Sequence, residues 1–81
     1  MLKALRSPTA KAVAAVLADA RQRAGLTQRQ LAARVRRPHS VIGMIETEQR
    51  QVNIPEFIAL AEAVGADPLD LFRAVLRSKK A

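Results

Sequence analysis

The chain has 81 residues and no cysteine, which limits it to one small domain and excludes disulfide bonds and thiolate zinc sites. Its 14 Lys and Arg residues outnumber 7 acidic residues, and the resulting net charge of +7 favours a polyanionic partner. No apolar run approaches the roughly 20 residues of a membrane span, and the N-terminus lacks the apolar stretch of a secretory signal. We therefore expect a cytoplasmic protein.

The first predicted helix runs from Pro8 to Ala24. Ser7 can cap its N-terminus, and a proline fits the first turn because the N–H that it lacks would have no helical partner there. Apolar residues then recur at helical spacing until Gly25 interrupts the pattern.

Residues 27–46 predict two short helices joined by a tight turn. Thr27 and Gln30 have the spacing of a capping box, so a second helix begins here. Pro38 suits the first turn of a third helix, and the turn between the two helices, residues 35–37, is rich in arginine. Two short helices around such a turn are the sequence form of a helix-turn-helix.

Two further helices are predicted after position 50. Asn53 and Glu56 again have capping-box spacing, and apolar residues recur at helical spacing from Ile54 to Val64. Asp67 can cap a fifth helix that begins with Pro68. Strand signals are absent, so the predicted fold class is all-α.

Charge is distributed unevenly along the chain. Residues 1–45 hold nine of the basic residues and one acid, whereas residues 46–81 hold five basic and six acidic residues. A basic half that contains a helix-turn-helix predicts nucleic-acid binding, and a merely solvated basic surface is the alternative. We place the domain at residues 8–77, with a basic arm at 1–7 and a short basic tail at 78–81.

Spaced residues across most of the chain match a known pattern. They are Arg21, Gly25, Leu26-Thr27-Gln28, Leu31-Ala32 and Glu46, followed by Arg50, Asn53, Glu56-Phe57, Ala61, Gly65 and Asp67-Pro68. This pattern resembles the phage Cro and repressor type of helix-turn-helix, the xenobiotic-response-element (XRE) class of bacterial regulators. The resemblance implies a compact five-helix repressor-like domain, sequence-specific binding of double-stranded DNA, and a structural ion pair between Arg21 and Glu46.

The resemblance also implies residue roles on DNA. The predicted base-reading residues lie on or beside the third helix: His39, Ser40, Gly43, Met44 and Arg37. The predicted phosphate-binding residues are Gln28, in the first turn of the second helix, with Arg29, Arg34, Arg36 and Arg50. Phosphate contacts would position the domain, and base contacts would supply specificity.

Several positions depart from the family pattern. Arg36 occupies a turn position where glycine is usual, so we expect a left-handed arginine there. Gly43 and Met44 give the recognition helix no charge, so specificity depends more on the neighbouring polar residues or on DNA shape. Gly43 also costs about 1 kcal/mol of helix stability, which close approach to a phosphate would explain. Glu48 replaces a glycine and brings a carboxylate near the DNA.

The fifth helix carries more apolar residues than a single buried stripe requires. We predict that Leu69, Phe72, Val75 and Leu76 mediate a homodimer. A two-fold dimer of such domains would read palindromic half-sites about 34–36 Å apart. The alternative is that so small a domain uses all of these residues in its own core.

No pattern in the sequence supports catalysis, a metal or another cofactor. His39 is the single histidine, and it does not face its neighbour Ser40 on a helix, so the two form no catalytic dyad. Sets of metal ligands and glycine-rich phosphate loops are missing from the sequence. We therefore predict a protein that is not an enzyme.

The leading hypothesis is a small bacterial or phage transcriptional regulator, associated with the nucleoid in the cytoplasm. The main alternative is an antitoxin-like or other interaction module that binds a protein partner, with DNA binding autoregulatory or lost. Nonspecific nucleoid or RNA binding is a third possibility, and it would show as affinity that is indifferent to sequence.

Overall fold

The computed structural model describes residues 7–79, and within this range it contains five α-helices and no strand. The helices are α1 (Pro8–Arg23), α2 (Gln28–Val35), α3 (His39–Glu46), α4 (Ile54–Ala63) and α5 (Pro68–Ser78). The all-α five-helix prediction is confirmed. The predicted basic arm apart from Ser7, and the last two residues of the predicted tail, lie outside the described residues.

Local side-chain contacts explain why most of the helices begin where they do. The Thr27 hydroxyl oxygen accepts a hydrogen bond from the Gln30 backbone N–H at 3.1 Å. The Gln30 side-chain oxygen accepts one from the Thr27 backbone N–H at 2.9 Å. Asn53 and Glu56 form the same reciprocal box at the start of α4, at 2.8 and 3.3 Å. Single caps from Ser7 and Asp67 begin α1 and α5. Each such cap satisfies backbone N–H groups that the helix leaves unpaired.

The start of α3 differs from this pattern. Pro38 lies at the N-cap position with φ −59° and ψ 143°, and no side chain caps the helix. Sequence reasoning placed Pro38 inside the first turn, but its extended ψ leaves His39 as the first helical residue. The fixed φ of proline suits both positions, so the sequence could not distinguish them.

The ends of α1 and α4 are alike. Gly25 has φ +73° and Gly65 has φ +77°, a left-handed conformation that costs glycine little. In this conformation the Leu26 N–H reaches the Arg21 carbonyl at 3.1 Å and closes α1. Both helices end one residue earlier than predicted.

All five helices contribute to one hydrophobic core. Its buried members include Leu17, Leu31, Ala32, Ile42, Ile45, Phe57, Leu60 and Val75. The most extensive packing is between α2 and α3 and between α1 and α5. This packing presents α2 and α3 together at one side of the domain. Within residues 7–79, no helix is both long and apolar enough to cross a membrane.

Candidate nucleic-acid interface

The joint between α2 and α3 is closed by a left-handed arginine. Arg36 has φ 57° and ψ 47°, as the sequence predicted from its place in the turn. The Arg37 N–H reaches the Ala32 carbonyl at 3.0 Å and closes the last turn of α2. A residue with a Cβ pays about 1 kcal/mol in this conformation, where glycine would pay little. The turn therefore keeps a charge at some cost in stability.

The helix α3 presents one face to the core and another to solvent. Ile42 and Ile45 point inward and are buried. His39, Ser40 and Met44 are exposed, as a base-reading role requires. The remaining predicted base-reading residue on the helix, Gly43, is half-buried. The outer face of α3 is thus open to a large ligand, although it offers few hydrogen-bonding groups.

Exposed cations surround this open face. Arg29 lies in the first turn of α2, while Arg36 and Arg37 lie in the joint. All three are exposed and can reach a phosphate backbone without breaking a short ion pair, since the contact from Arg37 to Glu56 spans 4.0 Å. One cation at the start of α2 and two at its end attract a polyanion.

Two other predicted phosphate-binding arginines make intramolecular contacts. Arg34 donates from Nη1 to the carbonyl of Ala63 at 2.8 Å and so joins α2 to the C-terminal end of α4. Arg50 donates to both oxygens of Glu56, at 3.1 and 2.5 Å. Each side chain would have to give up or share these bonds to hold a phosphate. Both arginines are therefore less free to bind a phosphate than Arg29 is.

Glu56 connects the segments before and after α3. Its carboxylate receives Arg50 from the loop after α3 and lies 4.0 Å from Arg37 in the turn before it. Hydrogen bonding from Arg50 is the main cause that lowers the pKa of Glu56, against the opposing effect of burial. Glu56 also belongs to the capping box of α4. One carboxylate thus ties α4 to the loop after α3 and contacts the turn before α3 only weakly.

Arg21 and Glu46, the pair implied by the resemblance, are joined in the structure. Arg21 donates from Nε at 2.6 Å and from Nη2 at 3.0 Å to the two carboxylate oxygens of Glu46. The side chains are only 12% and 9% exposed. Hydrogen bonding to Glu46 raises the pKa of Arg21, again against burial. Arg21 also donates to the Leu26 carbonyl at 2.7 Å, so it ties the end of α1 to the end of α3.

Gln28 makes a contact that the sequence did not reveal. Its Nε2 donates to Oε1 of Glu46 at 3.0 Å. Its amide oxygen would lie 3.4 Å from a Cβ at position 43, where the helix has only glycine. The half-buried Gln28 therefore lies along one face of α3, over Gly43 and Glu46. A Cβ at that distance would make an ordinary contact with the amide, so the approach of Gln28 leaves room for alanine but not for a much larger side chain.

The C-terminal end of α3 carries a second left-handed residue. Glu48 has φ 64°, and the next residue, Gln49, donates from its backbone to the Met44 carbonyl at 2.8 Å. The Thr47 hydroxyl donates to the Gly43 carbonyl at 2.8 Å. Glu48 thus takes the conformation that glycine takes in the family pattern, while keeping a half-buried side chain.

The comparisons with known proteins agree with this geometry. A family model described as a helix-turn-helix domain matches residues 12–74. An XRE-family like protein from Pseudomonas syringae pv. tomato has a similar solved structure, with 32% sequence identity and a TM-score of 0.82, over 94% of this chain and 93% of that one. The chain belongs to the XRE-type helix-turn-helix family. No curated protein matches the sequence.

Two more distant solved structures share the XRE-type fold. The clp gene regulator ClgR from Corynebacterium glutamicum is 24% identical, with a TM-score of 0.83 over 89% of this chain and 77% of that one. A point mutant of the restriction-modification controller protein C.Esp1396I is 20% identical, with a TM-score of 0.85 over 93% of this chain and all of that one. At these identities the likeness concerns the fold alone.

The outer side of this XRE-type domain carries an apolar surface on α5. Leu69, Phe72 and Leu76 are 54%, 45% and 40% exposed, and they repeat at helical spacing. Val75, the fourth residue predicted to mediate the homodimer, is only 3% exposed and lies in the core, so it is not part of this surface. Its helical phase, one residue before Leu76, turns it inward.

Residues of α4 extend the exposed apolar area of the domain beyond what the sequence indicated. Ile54 and Ile58, one turn apart, are 64% and 41% exposed. The ring of Phe72 meets that of Phe57 edge-on, with centroids 6.4 Å apart, so α5 touches α4 near its outer side. The sequence of α4 holds more apolar residues than one buried stripe requires, as does that of α5. Counting them could therefore have predicted the exposed apolar residues on α4 as well.

Proposed function

We propose that this protein binds double-stranded DNA sequence-specifically and acts as a small bacterial or phage transcriptional regulator in the cytoplasm, without catalysis. The observation that carries the proposal is the open outer face of α3, with exposed arginines at its edge and a firmly anchored inner face. A rigid helix with an open face in a basic surround suits insertion into a major groove. Membership in a family of regulators supports the same role.

In this proposal the protein acts as a homodimer on a palindromic site. A single short recognition helix contacts few base pairs, so a second copy would double the interface. The exposed residues Leu69, Phe72 and Leu76 form an apolar strip that water solvates poorly. A second copy, related by a two-fold axis beside α5, would cover this strip. Sedimentation of the free protein at tens of micromolar as a dimer is the expected result, and sedimentation as a monomer contradicts it.

The experiment that tests the function is genome-wide mapping of bound DNA, followed by titration of the best site against a scrambled duplex. We expect tight binding to the mapped site and weak, salt-sensitive binding to the scrambled one. Equal affinity for both duplexes would contradict sequence-specific regulation and would favour nonspecific nucleoid binding.

Substitutions separate positioning from reading. Arg29→Ala should weaken binding to all sequences alike and lower the slope of log affinity against log salt by about one unit, because one phosphate contact is lost. Arg23→Ala removes the same charge from an exposed position on α1, where Arg23 pairs with Asp19, and is the matched control. His39→Ala should cost roughly 1–3 kcal/mol at particular base pairs, with little change in nonspecific binding. If the His39→Ala variant keeps the same ratio of specific to nonspecific affinity, α3 is not the element that recognises the bases.

A second candidate is an interaction module that binds a different protein, in the manner of an antitoxin. The exposed Ile54 and Ile58 on α4 favour it, because they enlarge the apolar surface beyond α5. Ile58→Asp distinguishes the two candidates: a regulator that dimerises through α5 would still bind its DNA site, whereas an interaction module would lose its protein partner.

A further inference from the structure

The amide of Gln28 is held in one orientation by the contacts around it. A carboxylate only accepts hydrogen bonds, so the end of the amide that faces Glu46 must be the NH₂ end. The oxygen then lies on the side of Gly43, 3.4 Å from the position that a Cβ would take there. Glu46 thus fixes the orientation of the Gln28 amide, whose two ends are nearly equal in size and shape.

Glu46 can do this because Arg21 holds it in place. The carboxylate receives two bonds from Arg21 and its side chain is only 9% exposed, so it cannot rotate away without breaking those bonds. Its Oε1 atom accepts from both Arg21 and Gln28, each at 3.0 Å. A buried ion pair between α1 and α3 therefore fixes a polar side chain on α2.

We propose that Glu46 is a positioning residue for DNA binding, which acts through Gln28 and directs the second N–H of its amide to a phosphate. The inference rests on the proposed function and extends it. An NH₂ group has two hydrogens, and Glu46 takes only one of them. The other remains at the N-terminal end of α2, where backbone N–H groups also favour an anion. A flipped amide would instead present its oxygen to the phosphate and repel it.

The test uses the mapped DNA site with single phosphates replaced by neutral methylphosphonates. At one phosphate the wild-type protein should lose affinity by about tenfold to a hundredfold, the loss typical of a hydrogen bond to a charged group. Gln28→Ala should lose most of that sensitivity, and the backbone N–H groups of α2 account for the remainder. Glu46→Gln should lose the same sensitivity, since its neutral amide lets Gln28 flip. Arg21→Lys, which weakens the ion pair but keeps the carboxylate, should retain the sensitivity.

Two results would overturn the proposal. A folded Glu46→Gln protein with undiminished sensitivity at that phosphate shows that Gln28 needs no positioning, while DNA binding itself stands. A wild-type protein that binds no mapped site removes the proposed function together with this extension.

Nuclear magnetic resonance of the free wild-type protein gives a second measurement that needs no variant to fold. One side-chain amide proton of Gln28 should be shifted downfield and protected from exchange, relative to both protons of the exposed Gln22. Equal behaviour of the two glutamines would contradict the inference.

Discussion

The two ends of α3 are built in opposite ways. The C-terminal end is anchored by Glu46, which is 9% exposed and bonded to Arg21 and Gln28. The N-terminal end has no side-chain cap and follows the left-handed Arg36. A missing cap and a left-handed residue each cost about 1 kcal/mol. The C-terminal end also carries a left-handed residue, Glu48 at φ 64°, but there the buried ion pair offsets its cost. We infer that the C-terminal end supplies stability, whereas the N-terminal end keeps costly features whose benefit appears only with an anion bound.

Breaking the C-terminal anchor should have the largest effect. Arg21→Ala leaves the carboxylate of Glu46 nearly buried without its cation, so we expect the free energy of unfolding to fall by about 3–5 kcal/mol. Urea denaturation measures this loss. A double-mutant cycle with Glu46→Ala should give a large coupling energy, and a coupling near zero would show that the pair does not anchor α3.

A matched control separates this effect from the simple loss of an arginine. Arg23 lies two residues later on α1 and pairs with Asp19, but both side chains are mostly exposed, at 81% and 59%. Water screens such a pair, so Arg23→Ala should change stability by less than about 0.5 kcal/mol. A loss as large as that of Arg21→Ala would mean that helix α1, rather than the end of α3, is being weakened.

The bridge through Glu56 should have a smaller effect, because it is more exposed. The Arg50 side chain is 32% exposed, compared with 12% for Arg21. We expect Glu56→Gln to destabilise the fold by roughly 1–2 kcal/mol, from weakening of the ion pair and of the capping box. A loss greater than that of Arg21→Ala would show that Glu56, rather than the pair of Arg21 and Glu46, is the main anchor of α3.

The effect of Glu56→Gln should depend on pH. The pKa of Glu56 in the folded state is lowered from its ordinary value of 4.5, mainly by hydrogen bonding from Arg50. A lowered pKa means that the ionised form stabilises the fold above pH 4.5, and that this contribution is lost as the pH falls through the folded value. Unfolding curves of the two proteins should differ at pH 7 and converge in acid. A constant difference would exclude the ionised pair as its source.

The sequence predicted the anchor better than the bridge for a physical reason. Capping boxes depend on local spacing, and the Arg21–Glu46 pair follows from a family pattern, so both could be stated beforehand. The partners of Arg34 and Arg50 depend on how α4 packs beside α2 and α3, which no local spacing encodes. Val75 was misplaced because the apolar excess of α5 does not reveal the rotational phase of the helix.

Relieving the N-terminal end should give a gain in stability and a loss in binding. Arg36→Gly removes the Cβ from a residue at φ 57°, so the free energy of unfolding should rise by about 1 kcal/mol. The same change removes an exposed cation beside α3, so affinity for DNA should fall and its salt slope should decrease by about one unit. A variant that is less stable and binds normally would show that the charge is not the reason for the strain.

The smallest effect is expected midway between the two ends. Gly43→Ala improves helix propensity by about 1 kcal/mol, but its Cβ would lie 3.4 Å from the Gln28 amide oxygen, at the near edge of ordinary contact. We therefore expect the free energy of unfolding, measured by thermal denaturation, to rise by about 0.5 kcal/mol, because the amide needs to move little. Gly43→Val is the contrasting variant, since its branched side chain would press on Gln28 and should destabilise. A loss of stability in Gly43→Ala would show that the Gln28 amide is fixed more tightly against α3 than the contact with Glu46 alone requires.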